Sequence, residues 1–579
     1  MLDSIPAPWR ATLWPLLGAA IILTVGYLLP TWLRRLLAAA AAAASLTGLW
    51  SLVGGTPDSA GWSWEPITFF RAGPALQPQP LSLFVGITLA GTTTAVLPGI
   101  RGAARTAWHG LMLVALAGCL ITAMAANLLT LALGSALLDL ALLAMAASAA
   151  GEAGRIAWRM AVPGVASTLL LFSGAILMNT QAGTTFLSAR LFPMGVLLPL
   201  GLAGLARLMA FPLHPRGLAT AENAATLVLP TGAGACLLAR VQSLAPTLAD
   251  RPWVLAVGGA ALLAGGALAW IGGARDPDRA GTGSAPWFGL AVHQVGLTLL
   301  FILLLDGLAP WPLVSLALAV GMTAIWWDSS LAQEPALRPG WLQAMGRRLA
   351  SGVGWVQGRV ATAVPALGRW RNSLPRLRPG WVGQRLLPAL ALASPAGAPF
   401  TAGAISRWSL YGRLLAQGQG TLLLALLLAD TLLAAGLWAA LRALVRQRAD
   451  RPVNPLATLA LLALVVATLL VGVSPGRLGS PLGLEPPPRA GVSAWGLGLL
   501  YGLPWLLGLW LAYAGGRLAR PLDPIRSALN LDWLYRAASW AGQRLVDGLY
   551  WLSRVGEGDG WWGWALILLA LGAIFLTAR

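Results

Sequence analysis

Asn127-Leu128-Leu129-Thr130-Leu131-Ala132-Leu133-Gly134-Ser135-Ala136-Leu137-Leu138-Asp139-Leu140-Ala141-Leu142-Leu143-Ala144-Met145 is an apolar run carrying a single carboxylate. Its length suits the roughly 20 residues that a helix needs to cross a hydrocarbon core about 30 Å thick. A charge at the bilayer centre costs at least about 2.5 kcal/mol, so an ionisable residue placed there is a functional candidate.

The rest of the chain repeats the pattern. Of 579 residues, 57% are hydrophobic and 10% charged, whereas a soluble protein carries about a quarter charged residues. Mean hydropathy is +0.72. Windows of about 19 residues place spans near 12–30, 36–53, 81–99, 107–125, 126–149, 160–179, 191–211, 223–243, 253–273, 286–306, 310–327, 387–406, 420–441, 455–474, 492–514 and 562–578. The predicted fold is all-α, a polytopic transmembrane helix bundle of about 14 to 16 spans. The first run, from Thr12, lacks a basic leader and a small-residue cleavage site, and reads as a retained helix.

All 39 basic residues are arginine, against 20 acidic residues. Most fall in alternate gaps between apolar runs: Arg34 and Arg35, Arg101 and Arg105, Arg155 and Arg159, Arg216, Arg275 and Arg279, Arg338 to Arg385, Arg442 to Arg451, and Arg517 to Arg554. The positive-inside rule puts this set in the cytoplasm and the N-terminus outside. The expected location is the inner or cytoplasmic membrane. The basic excess faces lipid phosphate, and nucleic acid is not an expected partner. Residues 328–386 mix Arg, Trp, Gly and Pro, as in Arg369, Trp370, Arg371 and Trp381, and read as interfacial. The segment 515–560 is amphipathic, with Leu531, Trp533, Leu534 and Trp540 set against Asp532, Arg536 and Arg544, and is expected on the cytoplasmic surface.

Within the spans, the ionisable candidates are Asp139, Arg207, His214 and Arg407. Asp139 reads either as a carboxylate held neutral or hydrogen-bonded between helices, or as a proton relay. Arg207 reads as a partner for a carboxylate or for helix-end carbonyls, or as a fixed charge biasing its neighbours; it cannot itself release a proton. His214 is either a proton shuttle or a hydrogen-bonding anchor. Asp306 and Asp430 are read as solvated and interfacial. Pro212 and Pro215 interrupt one span, and Pro395 and Pro399 a second. Broken helices at depth need protein or water to satisfy the freed backbone, and often mark ion paths. Cys119 and Cys236 read as packing residues. The three histidines (His109, His214, His293) form no metal-ligand pattern, and no glycine-rich nucleotide loop is present.

Several stretches resemble the antiporter-like membrane subunits shared by respiratory complex I, Mrp-type cation/proton antiporters (D-type subunit) and group 4 hydrogenases (component B). Asn127 to Asp139 resembles the family helix N-L-L-x-L-x-x-x-x-E-L. Arg207 to Arg240 resembles the block of a lysine, then P-F-H or P-L-H, then a second lysine ahead of an arginine. Gln294-Val295-Gly296 resembles S-x-x-Q/H-x-G, with Ala291 at the serine. Gly397 to Trp408 resembles G-L-P-x-T-A-G-F-x-x-K-W. The likeness covers about residues 80 to 475, and the tail Asn530 to Arg536 with Glu557 is most similar to the D-type and component B branch. The resemblance implies antiporter-like inverted repeats with broken helices. It divides the chain into 1–79 (N-terminal helices and an extracytoplasmic loop), 80–327 (first part of the core), 328–386 (interfacial), 387–475 (last part of the core) and 476–579 (C-terminal spans with the amphipathic segment).

It also implies a proton path through Asp139, Arg207, His214, Gln294 and Arg407. The family glutamate position holds Ala136, with Asp139 one turn later on roughly the same face. The family lysines correspond to Arg207, Gly232 and Arg407, and the H-x-x-x-K-x-x-L-F helix is not recognisable in 306–330. The expected function is a proton-translocating, or degenerate and non-conducting, subunit of a complex I-related oxidoreductase, hydrogenase or Mrp-type complex. Its partners would be other membrane subunits and the lipid bilayer, with no cofactor or redox centre of its own. The alternatives are a purely structural membrane-arm subunit, or an independent solute transporter or lipid-handling enzyme.

Overall fold

A computed structural model describes residues 5–55, 60–61, 70, 72–100, 106–149, 151–187, 193–210, 212–214, 220–244, 252–275, 284–305, 311–331, 386–446, 455–482, 494–518, 521, 523–529 and 531–556. The helices up to residue 331 are α1 (Ala7–Val25), α2 (Thr31–Trp50), α3 (Pro80–Gly99), α4 (Thr106–Met124), α5 (Leu128–Ser148), α6 (Gly151–Ala182), α7 (Met194–Leu208), α8 (Ala221–Leu244), α9 (Pro252–Arg275), α10 (Ser284–Leu304) and α11 (Trp311–Leu331). After them come α12 (Leu387–Ala393), α13 (Ala402–Ala416), α14 (Gly420–Arg446), α15 (Pro455–Val473), α16 (Pro475–Gly479), α17 (Ala494–Leu518), α18 (Asp523–Leu529) and α19 (Asp532–Gly556). The strand content among the described residues is a two-residue ribbon, Ala60–Gly61 against Ala75–Leu76.

Eleven of the described helices are long and apolar enough to cross a membrane, and Gly195–Leu208 and Trp311–Ile325 are shorter apolar helices. The chain is a multi-pass membrane protein. The predicted spans up to 514 fall on these helices except 36–53, which falls on α2, and 387–406, which straddles the break between α12 and α13; the one at 562–578 lies outside the described residues, as does most of the interfacial segment at 332–385. The chain forms two compact units, Met1–Leu522 and Asp523–Arg579. In the second, α19 carries Trp533 and Trp540 exposed, with the Arg544 guanidinium 5.5 Å from the Trp540 ring centre.

In the first unit, polar side chains fix the helix ends inside an apolar environment, where an unsatisfied backbone group costs several kcal/mol. Asn127 Oδ1 accepts the Thr130 backbone N–H at 2.7 Å and so caps α5. Arg240 of α8 donates to the carbonyls of Ala123 and Ala125, at and just past the end of α4, satisfying acceptors with no intrahelical partner. Small residues let helices approach closely, as helix packing in lipid requires: a Cβ added at Gly18 of α1 would lie 2.4 Å from Ala41 of α2. Helices α8 and α10 are buried along their whole spanning windows, whereas α15 and α17 are largely exposed.

From α4 to α8 and again from α9 to α14 the chain runs through three long helices, an interrupted element and another long helix. The first interruption follows α7, which stops at Leu208 with Met209 in the left-handed region (φ 54°). The second separates α12 from α13, where Gly397 takes φ +85°, a conformation that L side chains rarely adopt. Arg207 precedes its interruption and Arg407 follows its own.

Candidate functional site

Two buried ionic clusters result, one in each half. In the first, Asp139 from α5 faces Arg207 from the last turn of α7. Arg207 Nη1 donates to Asp139 Oδ1 at 2.5 Å and Nη2 to Oδ2 at 2.9 Å, a bidentate pair. Helix α6 closes it: Nη2 also donates to the Gly164 carbonyl (3.0 Å) and to Thr168 Oγ1 (2.7 Å), while the Thr168 hydroxyl donates to Asp139 Oδ2 (2.6 Å). Arg207 is therefore the carboxylate partner that was one reading of its sequence. The fit depends on Gly164, where an added Cβ would lie 2.4 Å from Asp139 Oδ1.

In the second half, Asp430 occupies the middle of α14 and is 4% exposed. Its sequence reading as a solvated interfacial residue fails. The span predicted at 420–441 already put it midway between the ends, and a guanidinium and a hydroxyl compensate its burial. Arg407 of α13 places Nε 2.8 Å and Nη2 2.7 Å from Asp430 Oδ1, and the Tyr411 hydroxyl, one turn after Arg407, donates to Oδ2 at 2.6 Å. His293 of α10 brings Nε2 to 3.2 Å from Oδ1. His293 and Tyr411 were not read as site residues; the adjacency of His293 to Gln294 was the available signal.

The broken helix lies directly against this cluster. Gln294 Nε2 donates to the Pro395 carbonyl at 2.5 Å, and a Cβ at Gly397 would meet Arg407 Cδ at 2.7 Å and Tyr501 Oη at 3.2 Å. Around it, Gln294 Oε1, Ser315 Oγ, Ser394 Oγ, Tyr501 Oη and His293 Nδ1 are buried with no protein hydrogen bond. Buried polar atoms left without protein partners mark sites that ordered water commonly fills. Both carboxylate oxygens are bonded to protein groups in each cluster; the second differs in the unpaired polar atoms that surround it.

The predicted residues thus separate. Asp139 and Arg207 meet in the first cluster; Gln294 and Arg407 flank the second. His214 is buried and its ring stacks on Phe288 of α10, centres 5.5 Å apart. Of the predicted interruptions, Pro395 is buried and Pro212 and Pro399 are exposed, while Pro215 lies outside the described residues.

No known protein-family pattern matches the chain, and no curated protein sequence matches it either. Solved structures do. A chain of the Mrp complex from Dietzia sp. DQ12-45-1b is similar with TM-score 0.71 and 19% identity over 99% of this chain and 63% of that one. The present chain therefore spans less than two thirds of that relative's length. A chain of the membrane-bound sulfane sulfur reductase, an archaeal respiratory membrane complex, gives TM-score 0.67 and 16% identity over 98% of this chain and 99% of that one. A chain of respiratory complex I from Thermus thermophilus gives 0.59 and 18% over 82% and 99%. At these identities the likeness is one of fold: the chain has the fold of the antiporter-like membrane subunits that occur within multi-subunit membrane complexes.

Proposed function

We propose that the protein is a proton-translocating, antiporter-like subunit of a multi-subunit complex in the cytoplasmic membrane, related to the complex I, hydrogenase or Mrp-type assemblies. In this reading its partners are other membrane subunits. The carrying observation is His293 against Asp430 beside the broken helix. Arginine keeps its charge at any working pH, so the arginines orient and neutralise. Histidine can gain and lose a proton near neutrality, and His293, Gln294 and the polar lining of the break form the conducting half. Asp139, with both oxygens held by Arg207 and Thr168, serves as a fixed ion pair, and His214 extends the path between the halves.

The second reading is a membrane-arm subunit that packs but does not conduct. It is supported by the pairing of both buried carboxylates with arginine. One experiment separates the two. The tagged protein is purified from its native membrane in mild detergent, its bound partners are identified by mass spectrometry, and the recovered assembly is sealed into liposomes carrying a pH-sensitive dye. Under an imposed pH gradient, His293→Phe is expected to cut proton flux by about 100-fold, the scale of losing a positioned proton carrier, while the double variant Asp139→Asn/Arg207→Gln conducts within about twofold of wild type. Unchanged flux in His293→Phe would take His293 out of the path, flux of the wild-type assembly no greater than that of protein-free liposomes would establish the structural reading, and recovery of the chain alone would remove the subunit assignment.

A further inference from the structure

A second polar site lies at the end of the bundle where α1 hands over to α2. The connection is a single 3-10 turn, Gly26–Leu28, and α2 opens with Thr31-Trp32-Leu33-Arg34-Arg35 and no acidic residue in its first turn. Two arginines at a helix start oppose the helix dipole, which favours negative charge there. Their presence is accounted for if an anion sits with them.

Trp108 and His109, in the first turn of α4, supply the independent observation. His109 is 4% exposed and hydrogen-bonds to the backbone of Leu97 near the end of α3. Arg35 and Arg34 lie close enough to act electrostatically on its ring. Trp108, 6% exposed, and Arg34 hold N–H groups, Nε1 and Nε, that are buried and reach no protein acceptor. The Trp108 and His109 rings meet edge to face, centres 5.1 Å apart. The place thus offers N–H donors and positive charge from two elements, α2 and α4.

Beside it the surface is apolar. Tyr27, Leu28 and Trp32 are among the most exposed large side chains of the bundle, and Leu33 and Leu36 continue the exposed strip along α2. Trp32 and Leu36 are one turn apart and share a face. Tyrosine and tryptophan concentrate at headgroup depth in membranes. Arg34 and Arg35 belong to the loop set that the charge asymmetry assigns to the cytoplasmic side, whose leaflet carries the anionic lipids.

We propose that Arg34, Arg35 and Trp108 hold the phosphate of an anionic phospholipid of the cytoplasmic leaflet, with its acyl chains along Leu28, Leu33 and Leu36. A free phosphate would use the same donors but not the apolar strip, so the two sources can be told apart.

The test uses the full chain in nanodiscs of phosphatidylcholine, with and without phosphatidylglycerol, followed by native mass spectrometry of retained lipid and by thermal unfolding. One phosphatidylglycerol is expected to be retained in preference to phosphatidylcholine and to raise the unfolding temperature. Arg34→Gln should weaken its retention roughly tenfold, the effect of losing one charge-assisted contact. Arg155→Gln, an exposed arginine at the start of α6, serves as the control and should leave retention unchanged. Equal loss in both variants would reduce the effect to unspecific surface charge and overturn the site. So would equal retention of both lipids, or the same stabilisation by millimolar inorganic phosphate in phosphatidylcholine discs.

Discussion

The two halves of the core solve one problem in two ways. Each buries an aspartate against an arginine beside an interrupted helix: Asp139 with Arg207, and Asp430 with Arg407. In the first half the remaining bonds come from a threonine hydroxyl and a backbone carbonyl on α6. In the second a tyrosine hydroxyl supplies the further bond and a histidine approaches to 3.2 Å, with further polar atoms left unpaired nearby. A guanidinium stabilises a buried carboxylate wherever it is placed, but a pair made only of such groups has no member that changes charge at working pH. The ability to pass a proton therefore depends on what else touches the pair, and among the described residues the second pair has a histidine in contact with its carboxylate.

The comparison can be broken most forcefully by removing one member of the closed pair. Arg207→Met leaves Asp139 charged and unpaired in the bundle, and is expected to destabilise the protein by about 3–5 kcal/mol, the cost of breaking a buried ion pair from one side. Asp139→Leu/Arg207→Met, which removes both charges, should recover most of that loss. Unfolding by SDS in mixed micelles would measure both. If the double variant were as unstable as the single one, Arg207 would be acting through packing and the ion-pair account of the first half would be lost.

Gly164→Ala probes the same pair with a smaller effect. The new methyl would overlap Asp139 Oδ1, and the carboxylate cannot swing aside because Arg207 and Thr168 hold both its oxygens. Overpacking of this kind costs about 1–3 kcal/mol. The same unfolding assay should show the loss shrinking sharply in the Asp139→Leu/Arg207→Met background, where the two sites no longer conflict over a fixed charge. Full additivity would mean that Gly164 serves helix packing and not the pair.

Much of this arrangement was legible in the chain. Apolar run length located the helices because lipid leaves the backbone few choices, and Pro395 and Pro399 announced the second interruption. Asp139 and Arg207 were singled out, since isolated charges in apolar runs are conspicuous, and the structure brings them together. Their pairing was not legible: Thr168 and Gly164 complete it from a third helix, and threonine and glycine in an apolar run carry no sign of what they face. Asp430 shows the opposite failure. It was visible in Leu428-Ala429-Asp430-Thr431, but its partners lie 137 residues upstream at His293 and 23 residues upstream at Arg407. Without them Asp430 was placed near the end of its span and read as interfacial, although the span 420–441 puts it near the middle.

The smallest expected effect gives the finest test of how the second half is built. Tyr411 and Tyr501 both present hydroxyls near Arg407, but Tyr411 donates to Asp430 Oδ2 at 2.6 Å, whereas Tyr501 Oη has no protein partner. Tyr411→Phe removes a hydrogen bond to a charged group, and polar contacts inside membrane bundles are worth about 0.6–1.7 kcal/mol. Tyr501→Phe removes no protein bond, and its stability should stay within about 0.5 kcal/mol of wild type. Function should divide them differently. If Tyr501 lines the conducting half, Tyr501→Phe slows proton flux in the liposome assay while leaving stability untouched, because a hydroxyl in a polar path can orient water that no stability measurement registers. If flux and stability are both unchanged, the chamber beside the broken helix is structural on the α17 side, and any path must run between α10, α13 and α14 alone.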